Sequence, residues 1–249
     1  MLDAQERIDD LQLMGRKIIQ NPAAFCFGVD SVLLAHFARV KNQDRVLDLG
    51  TGSGVLPLIL QAQTPDAHFT GVEIQPQIAD MAARSVALNG LQAQIEILNL
   101  DLTQLPFKEK GPFSKPFDVV LSNPPYDELS GKFAPAQTAQ TIARFEVACT
   151  LENIVATAAR ALRNRGRFVL VHKAERLVDI LSCMRQYKVE PKRMCMVQSY
   201  AHSAPHLVLI EGMRNGRKPL KMLPNIILKN DDGTDSPHTR QIYGGLGIE

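Results

Sequence analysis

The chain has 249 residues, 45% of them hydrophobic and 22% charged, with a net charge of +2; that is the length of one sizeable domain or two small ones, in an ordinary globular composition. No run approaches the roughly 18 apolar residues of a membrane span, and the opening Met1-Leu2-Asp3-Ala4-Gln5-Glu6 is polar and acidic, unlike a signal peptide, so a cytoplasmic location is expected. Cys26, Cys149, Cys183 and Cys195 form no CxxC pair and the histidines show no HExxH spacing, so neither a disulfide framework nor a metal site is indicated and the thiols are expected to be buried.

Residues Asp3 to Gln12 read as a polar lead-in, Arg16 to Gln20 as a strand and Asn21-Pro22 as a turn. Asp30 is a natural N-cap for the apolar run Val32 to Ala38, in which His36 is expected to pack in the core. Residues 1–42 thus form an N-terminal extension expected to pack on a domain spanning 43–249.

From Arg45 the pattern becomes regular. Arg45 to Leu49 is a short buried strand, Gly50-Thr51-Gly52-Ser53-Gly54 a glycine-rich turn, and Val55 to Leu60 the start of a helix that tolerates Pro57 in its first turn. Glycines at this spacing let backbone approach a ligand where a Cβ would block it; the spacing G-x-G-x-G departs from the dinucleotide fingerprint G-x-G-x-x-G. Phe69 to Glu73 is a second strand ending in an acid, the position from which a doubly wound sheet offers a carboxylate to ribose hydroxyls. Pro76 to Asn89 is a helix closed by Asn89-Gly90, Ile95 to Leu98 a third strand leading to Asp101, and Phe117 to Leu121 a fourth.

The fourth strand runs into Ser122-Asn123-Pro124-Pro125-Tyr126. Two successive prolines lack ladder donors and cannot continue a sheet, so the strand stops there. The stop leaves acceptors with few local donors, the Asn123 side-chain oxygen and the Pro124 carbonyl, beside a flat aromatic, Tyr126. An exocyclic amine on a planar base carries two N–H donors and a π face, which such a turn would grip on both counts. Accepting both protons also pushes electron density back onto the nitrogen as it attacks an electrophile. Strand ends in open α/β sheets converge on one crevice, so the glycine turn, Glu73, Asp101 and Asn123 are expected together.

Residues 127–141 read as a substrate loop, Leu151 to Leu162 as a helix, Gly166 to Val171 as a fifth strand and Ala174 to Gln186 as another helix. Met194 to Val197 and His206 to Ile210 have no helix between them and are expected to pair antiparallel, with an edge strand and turn in the tail after Lys221. Charge is uneven: Arg160 to Lys221 holds 14 Lys/Arg against 4 Asp/Glu, or +10, leaving −8 for the rest of the +2 total, an asymmetry that fits a polyanionic partner.

Asp48-Leu49-Gly50-Thr51-Gly52-Ser53-Gly54, Glu73, Asp101 and Asn123-Pro124-Pro125-Tyr126 resemble the motifs of class I S-adenosylmethionine-dependent methyltransferases of the amino-methylating type. More narrowly, Phe25 to Ser31, Ile142 to Glu146 and the Pro219 to Leu228 tail resemble bacterial tRNA adenine-N6 methyltransferases acting on adenine 37. The resemblance implies an α/β fold with a Rossmann-like seven-stranded sheet, mostly parallel with an antiparallel edge strand, and helices on both faces. It implies S-adenosyl-L-methionine as cofactor, held by Asp48, Gly50, Gly52, Gly54, Glu73 and Asp101, with Asn123, Pro124, Pro125 and Tyr126 gripping the target amine and no metal. RNA, in particular tRNA, is the implied partner, with no membrane and no obligate protein partner. The same turn would also fit a glutamine side-chain amide, and an RNA-binding module could keep the crevice without turnover.

Overall fold

The computed structural model describes residues 2–22, 26–107, 111–125 and 150–244. A hairpin of β1 (Arg7–Asp10) and β2 (Lys17–Gln20) precedes α1 (Val29–Phe37). Then follow β3 (Arg45–Leu49), α2 (Val55–Gln63), β4 (His68–Glu73), α3 (Pro76–Leu88), β5 (Ile95–Asn99) and β6 (Phe117–Ser122). The second half holds α4 (Leu151–Ala161), β7 (Leu162–Lys173), α5 (Leu177–Gln186), β8 (Val189–Gln198), β9 (Leu207–Arg214), β10 (Lys221–Met222), β11 (Ile226–Ile227) and α6 (Pro237–Gly244).

The main sheet has the order β10-β8-β9-β7-β6-β3-β4-β5, with β11 also on the outer side of β8. Both of its faces are covered, so the middles of its central strands are runs of buried apolar residues on both faces. On one face Val46, Val119, Leu121, Val169 and Leu209 meet α1 and α2 through Leu34, Leu58 and Ile59. On the other, Leu47, Val120, Phe168, Leu170 and Val208 meet α4 and α5 through Ile154, Val155 and Ile180. Each such aliphatic side chain contributes about 1.5–3 kcal/mol on leaving water. Among the described residues no helix is long and apolar enough to cross a membrane.

The seven strands expected between Arg45 and Ile210 are all present, and two short tail strands extend the sheet to nine. The expected antiparallel edge strand is displaced inward: β9 is antiparallel to both β7 and β8 and lies between them. The α5 crossover carries the chain past one strand position, and the hairpin return from β8 fills it.

Four local readings are corrected. The polar lead-in contains β1, which pairs with β2 from Arg7–Gln20 to Asp10–Lys17. Helix α1 starts two residues earlier than expected, with Gly28 as N-cap and Asp30 in its first turn, where an acid faces the positive helix end. His36 is exposed, because Leu33, Leu34 and Phe37 take the buried face of that short helix. Of the thiols, Cys195 is buried, but Cys26 is exposed and Cys183 half-buried. Cys26 stands in irregular chain before α1, and α5 sends only Ile180 and Met184 fully inward. Cys149, the 127–141 loop and Ile142 to Glu146 lie outside the described residues, as does Phe25.

The N-terminal hairpin is fastened to α3. Ile19 N donates to Ser85 Oγ at 2.9 Å, Asn89 bridges Lys17 N and O at 2.9 and 2.6 Å, and Arg84 forks onto Glu6 at 2.5 and 2.7 Å. Helix α1, on the same face, is tied to β9 and β8: Arg39 and Arg193 both pair with Glu211, at 2.5 and 3.2 Å, and the Arg193 guanidinium lies 4.0 Å from the centre of the Phe37 ring.

Candidate active site

Four adjacent strands end at one edge. Asn99 pairs with Glu73, Val72 with Leu49, and Leu49 with Ser122, so Asp101, Glu73, Gly50 and Asn123 follow one another across strands spaced roughly 4.8 Å apart. The expected convergence is therefore present in the register itself.

The glycine turn is tight because Gly50 N and Thr51 N both donate to Val72 O, each at 2.9 Å. Gly50 has φ +75°, which disfavours any side chain, and a Cβ built there would meet open space, so its surface is available to a ligand. Gly54, at φ +81°, caps α2, and a Cβ on it would sit 3.3 Å from Ala82 Cβ.

Three carboxylates stand along this edge in different surroundings. Asp48 is 1% exposed; its Oδ2 accepts from Thr51 Oγ1 at 2.7 Å, while Oδ1 is buried with no hydrogen-bond partner. Burial pushes the Asp48 carboxyl up to about 7, the Thr51 hydroxyl opposing the shift and neighbouring Glu73 adding to it. Glu73 is also buried; its Oε2 accepts from Gly52 N at 3.1 Å and its Oε1 from Gln75 N at 2.9 Å. Burial raises its pKa against those backbone donors. Asp101 is half-buried and caps the next turn, accepting from Thr103 N at 2.8 Å, Thr103 Oγ1 at 2.7 Å and Gln104 Nε2 at 3.1 Å.

Asn123 is half-buried and follows the last paired residue of β6. Its Nδ2 donates to Ser31 Oγ at 2.9 Å. Pro124 is buried and Pro125 exposed; Tyr126 lies outside the described residues. Two residues that no sequence motif singles out for a role also belong to this edge: Ser31, and Ser53, whose buried hydroxyl has no partner. A hydrogen bond spanning 92 positions, as between Ser31 and Asn123, leaves no local pattern in a sequence.

This edge fits a cationic, nucleoside-bearing cofactor. The unmatched Asp48 oxygen suits a positively charged donor, and the bare Gly50 backbone admits close approach. Among the described residues no cluster of His, Cys, Asp or Glu could hold a metal ion.

The basic stretch divides between the two ends of the sheet. Arg163 follows Leu162, which pairs with Phe117, and Lys188 precedes Val189, which pairs with Arg214. These cations lie at the end away from Asn123, about five strand residues or roughly 17 Å below it. Lys173, paired with Leu207, is at the Asn123 end, as is Arg176 in the turn that follows.

The family description of the methyltransferase small domain matches residues 16–187. A curated relative from Porphyromonas gingivalis, named tRNA1(Val) (adenine(37)-N6)-methyltransferase, is 30% identical over 198 residues, covering 78% of this chain and 76% of its own. Among solved structures, a predicted O-methyltransferase from Agrobacterium tumefaciens aligns with TM-score 0.68 and 20% identity over 88% of this chain and 98% of that one. The T. thermophilus 16S rRNA N2 G1207 methyltransferase, solved with AdoMet and guanosine, aligns with TM-score 0.61 and 20% identity over 86% of this chain and 52% of that one. At such identities the two structures speak for the fold alone.

Proposed function

Because the chain belongs to the methyltransferase small domain family, we propose that it transfers the methyl group of S-adenosyl-L-methionine to the exocyclic N6 amine of an adenine in tRNA, beside the anticodon. The observation that carries this reading is the position of Asn123: half-buried, at a strand end next to the glycine turn, and followed by Pro124-Pro125. The substrate class rests on the named relative and on the cations at the Asn123 end.

On this reading the bound cofactor supplies a methyl group already activated on a sulfonium, so the chain itself has to position, desolvate and relieve charge. The Asp48 carboxylate would accept from the cofactor's ammonium, Gly50, Gly52 and Gly54 would give it backbone to lie against, Glu73 would take the ribose hydroxyls and Asp101 would accept from the cofactor's adenine. The Asn123 side-chain oxygen and the Pro124 carbonyl accept the two N6 protons. That concentrates the lone pair on nitrogen and stabilises the positive charge that develops there; one of the protons then passes to solvent. Tyr126 would stack on the target base, which must leave its own stack to reach the turn. Residues 1–42 act as an extension of the 43–249 domain that braces this edge, because Ser31 holds Asn123. The compartment is the cytoplasm, where tRNA is processed.

The test is incubation with methyl-labelled S-adenosylmethionine and separate pools of tRNA, ribosomal RNA and protein, followed by digestion and nucleoside or amino-acid analysis. Label in N6-methyladenosine from tRNA is the expected result. Label recovered only as N5-methylglutamine from protein would replace the substrate and keep the turn's role.

A further inference from the structure

The loop between β8 and β9 has no part in the transfer chemistry, yet it carries a preformed aromatic pair. The Tyr200 and His202 rings stack with centroids 5.6 Å apart and planes 16° from parallel. The His202 side chain is 75% exposed, and neither ring belongs to an apolar core cluster. Asp231 Oδ1, 3.4 Å from His202 Nδ1, meets the imidazole at its edge and leaves its outer face to solvent.

The loop is held in shape from below. Gln198, 6% exposed, donates through Nε2 to Tyr200 O at 3.0 Å and Ala201 O at 2.8 Å, and accepts from Asn225 Nδ2 at 3.0 Å. Ser203 closes the turn: its Oγ accepts from Tyr200 N at 3.0 Å and its backbone N donates to Tyr200 O at 3.0 Å. The tail braces the base of the loop through Leu228 N to Gln198 O at 3.0 Å and Lys229 N to Ser199 O at 2.8 Å. A buried amide spent on two loop carbonyls fixes the direction in which the rings project.

The loop leaves the sheet at the same edge as Asn123. Leu207, at the end of the loop, pairs with Lys173, three residues beyond Leu170, which pairs with Ser122. Both β7 and β9 separate β8, whose end leads into the ring pair, from β6, so strand spacing and rise put the rings roughly 20 Å from the Asn123 turn. His206 is exposed on the same loop.

We infer that the Tyr200–His202 pair is a stacking platform for an unpaired nucleotide of the RNA a few positions away from the adenine held at Asn123. The inference rests on the proposed function and extends it to the part of the substrate that is read outside the crevice. An aromatic face on a rigid loop binds any base at little ordering cost, and single-stranded loops are where RNA exposes such faces. The exposed imidazole completes a three-layer stack with Tyr200 beneath it; the Lys173 and Arg176 cations at the same edge suit the adjoining phosphates.

The experiment uses the full chain and a short RNA stem–loop whose unpaired loop holds the target adenine and, a few positions away, 2-aminopurine. Fluorescence of the 2-aminopurine is expected to quench on binding to the wild type and not to His202→Ala. In methyl transfer, His202→Ala raises the KM for the stem–loop about five- to fiftyfold, with kcat and the Kd for S-adenosylmethionine unchanged; His202→Phe restores the KM. Unchanged quenching and KM in His202→Ala would overturn the platform, as would an equal loss of binding to a fully paired RNA duplex. The fluorescence measurement requires no turnover, so a wild type that quenches in a His202-dependent way without methylating the RNA would refute the proposed reaction and leave the platform standing. Movement of the KM for a polypeptide substrate in place of RNA would refute both.

Discussion

Ser31 Oγ accepts the Asn123 Nδ2 proton at 2.9 Å, so the first turn of α1 reaches across to the end of β6 and fixes one side of the amide. Ser31 is itself 4% exposed. A side-chain amide has two ends of opposite hydrogen-bonding sense, and Ser31 engages the donor end.

Removing the amide and removing its anchor should therefore differ in degree. Asn123→Ala is expected to lower kcat about a hundredfold or more while the Kd for S-adenosylmethionine stays within twofold. Ser31→Ala gives up one hydrogen bond of about 1 kcal/mol, a fall of roughly five- to tenfold in kcat, with a melting temperature only about 2–4 °C lower and recovery in Ser31→Thr. Steady-state kinetics with a parallel cofactor titration separates the two; loss of cofactor binding in Asn123→Ala would refute its role.

Asp48 sets a pH dependence. Its carboxyl, pushed up to about 7 by burial, is mostly protonated below that pH in the free protein, and pairing with a cationic cofactor requires the carboxylate. The pairing therefore releases a proton, so affinity rises with pH and falls as pH drops below about 7, approaching tenfold per unit. Calorimetric titration from pH 5.5 to 8 should show this slope in the wild type and a flat, weaker profile in Asp48→Asn.

Glu211 anchors α1 to the sheet. It is 1% exposed and pairs with both Arg39 and Arg193. Glu211→Ala leaves the half-buried Arg193 guanidinium against Phe37 without its carboxylate, and denaturant unfolding should show a loss of roughly 3–5 kcal/mol. Arg39 is 60% exposed, and Arg39→Ala should cost less than about 1 kcal/mol.

The two ends of the basic stretch should separate in a salt titration. Charge reversal at Lys173 and Arg176, on the Asn123 edge, is expected to weaken tRNA binding and flatten the slope of log K against log salt by about one unit for every phosphate that is no longer neutralised. Reversal at Arg163 and Lys188, at the far end, should leave the slope unaltered. A filter-binding series at several salt concentrations checks both.

The elements of the crevice were legible in the residues because each is governed locally. Strand runs such as Arg45 to Leu49 and Phe117 to Leu121 are apolar on both faces, the glycines at 50, 52 and 54 answer to backbone geometry, and Pro124-Pro125 ends a strand whatever surrounds it. Parallel strands in a doubly wound order then bring their carboxyl ends together. Nothing local, by contrast, fixes which strand lies between two others, so β9 moved from the edge to the interior, and the net charge of residues 160–221 did not reveal that its cations point to opposite ends. His36 and Cys26 were exposed for the same reason: which face of a short helix or loop meets the core depends on what packs there. The Ser31–Asn123 bond, the orphaned oxygen of Asp48 and the Gln198-braced ring pair join residues or leave them unmatched through chain folding over long separations, and tertiary packing alone decided them.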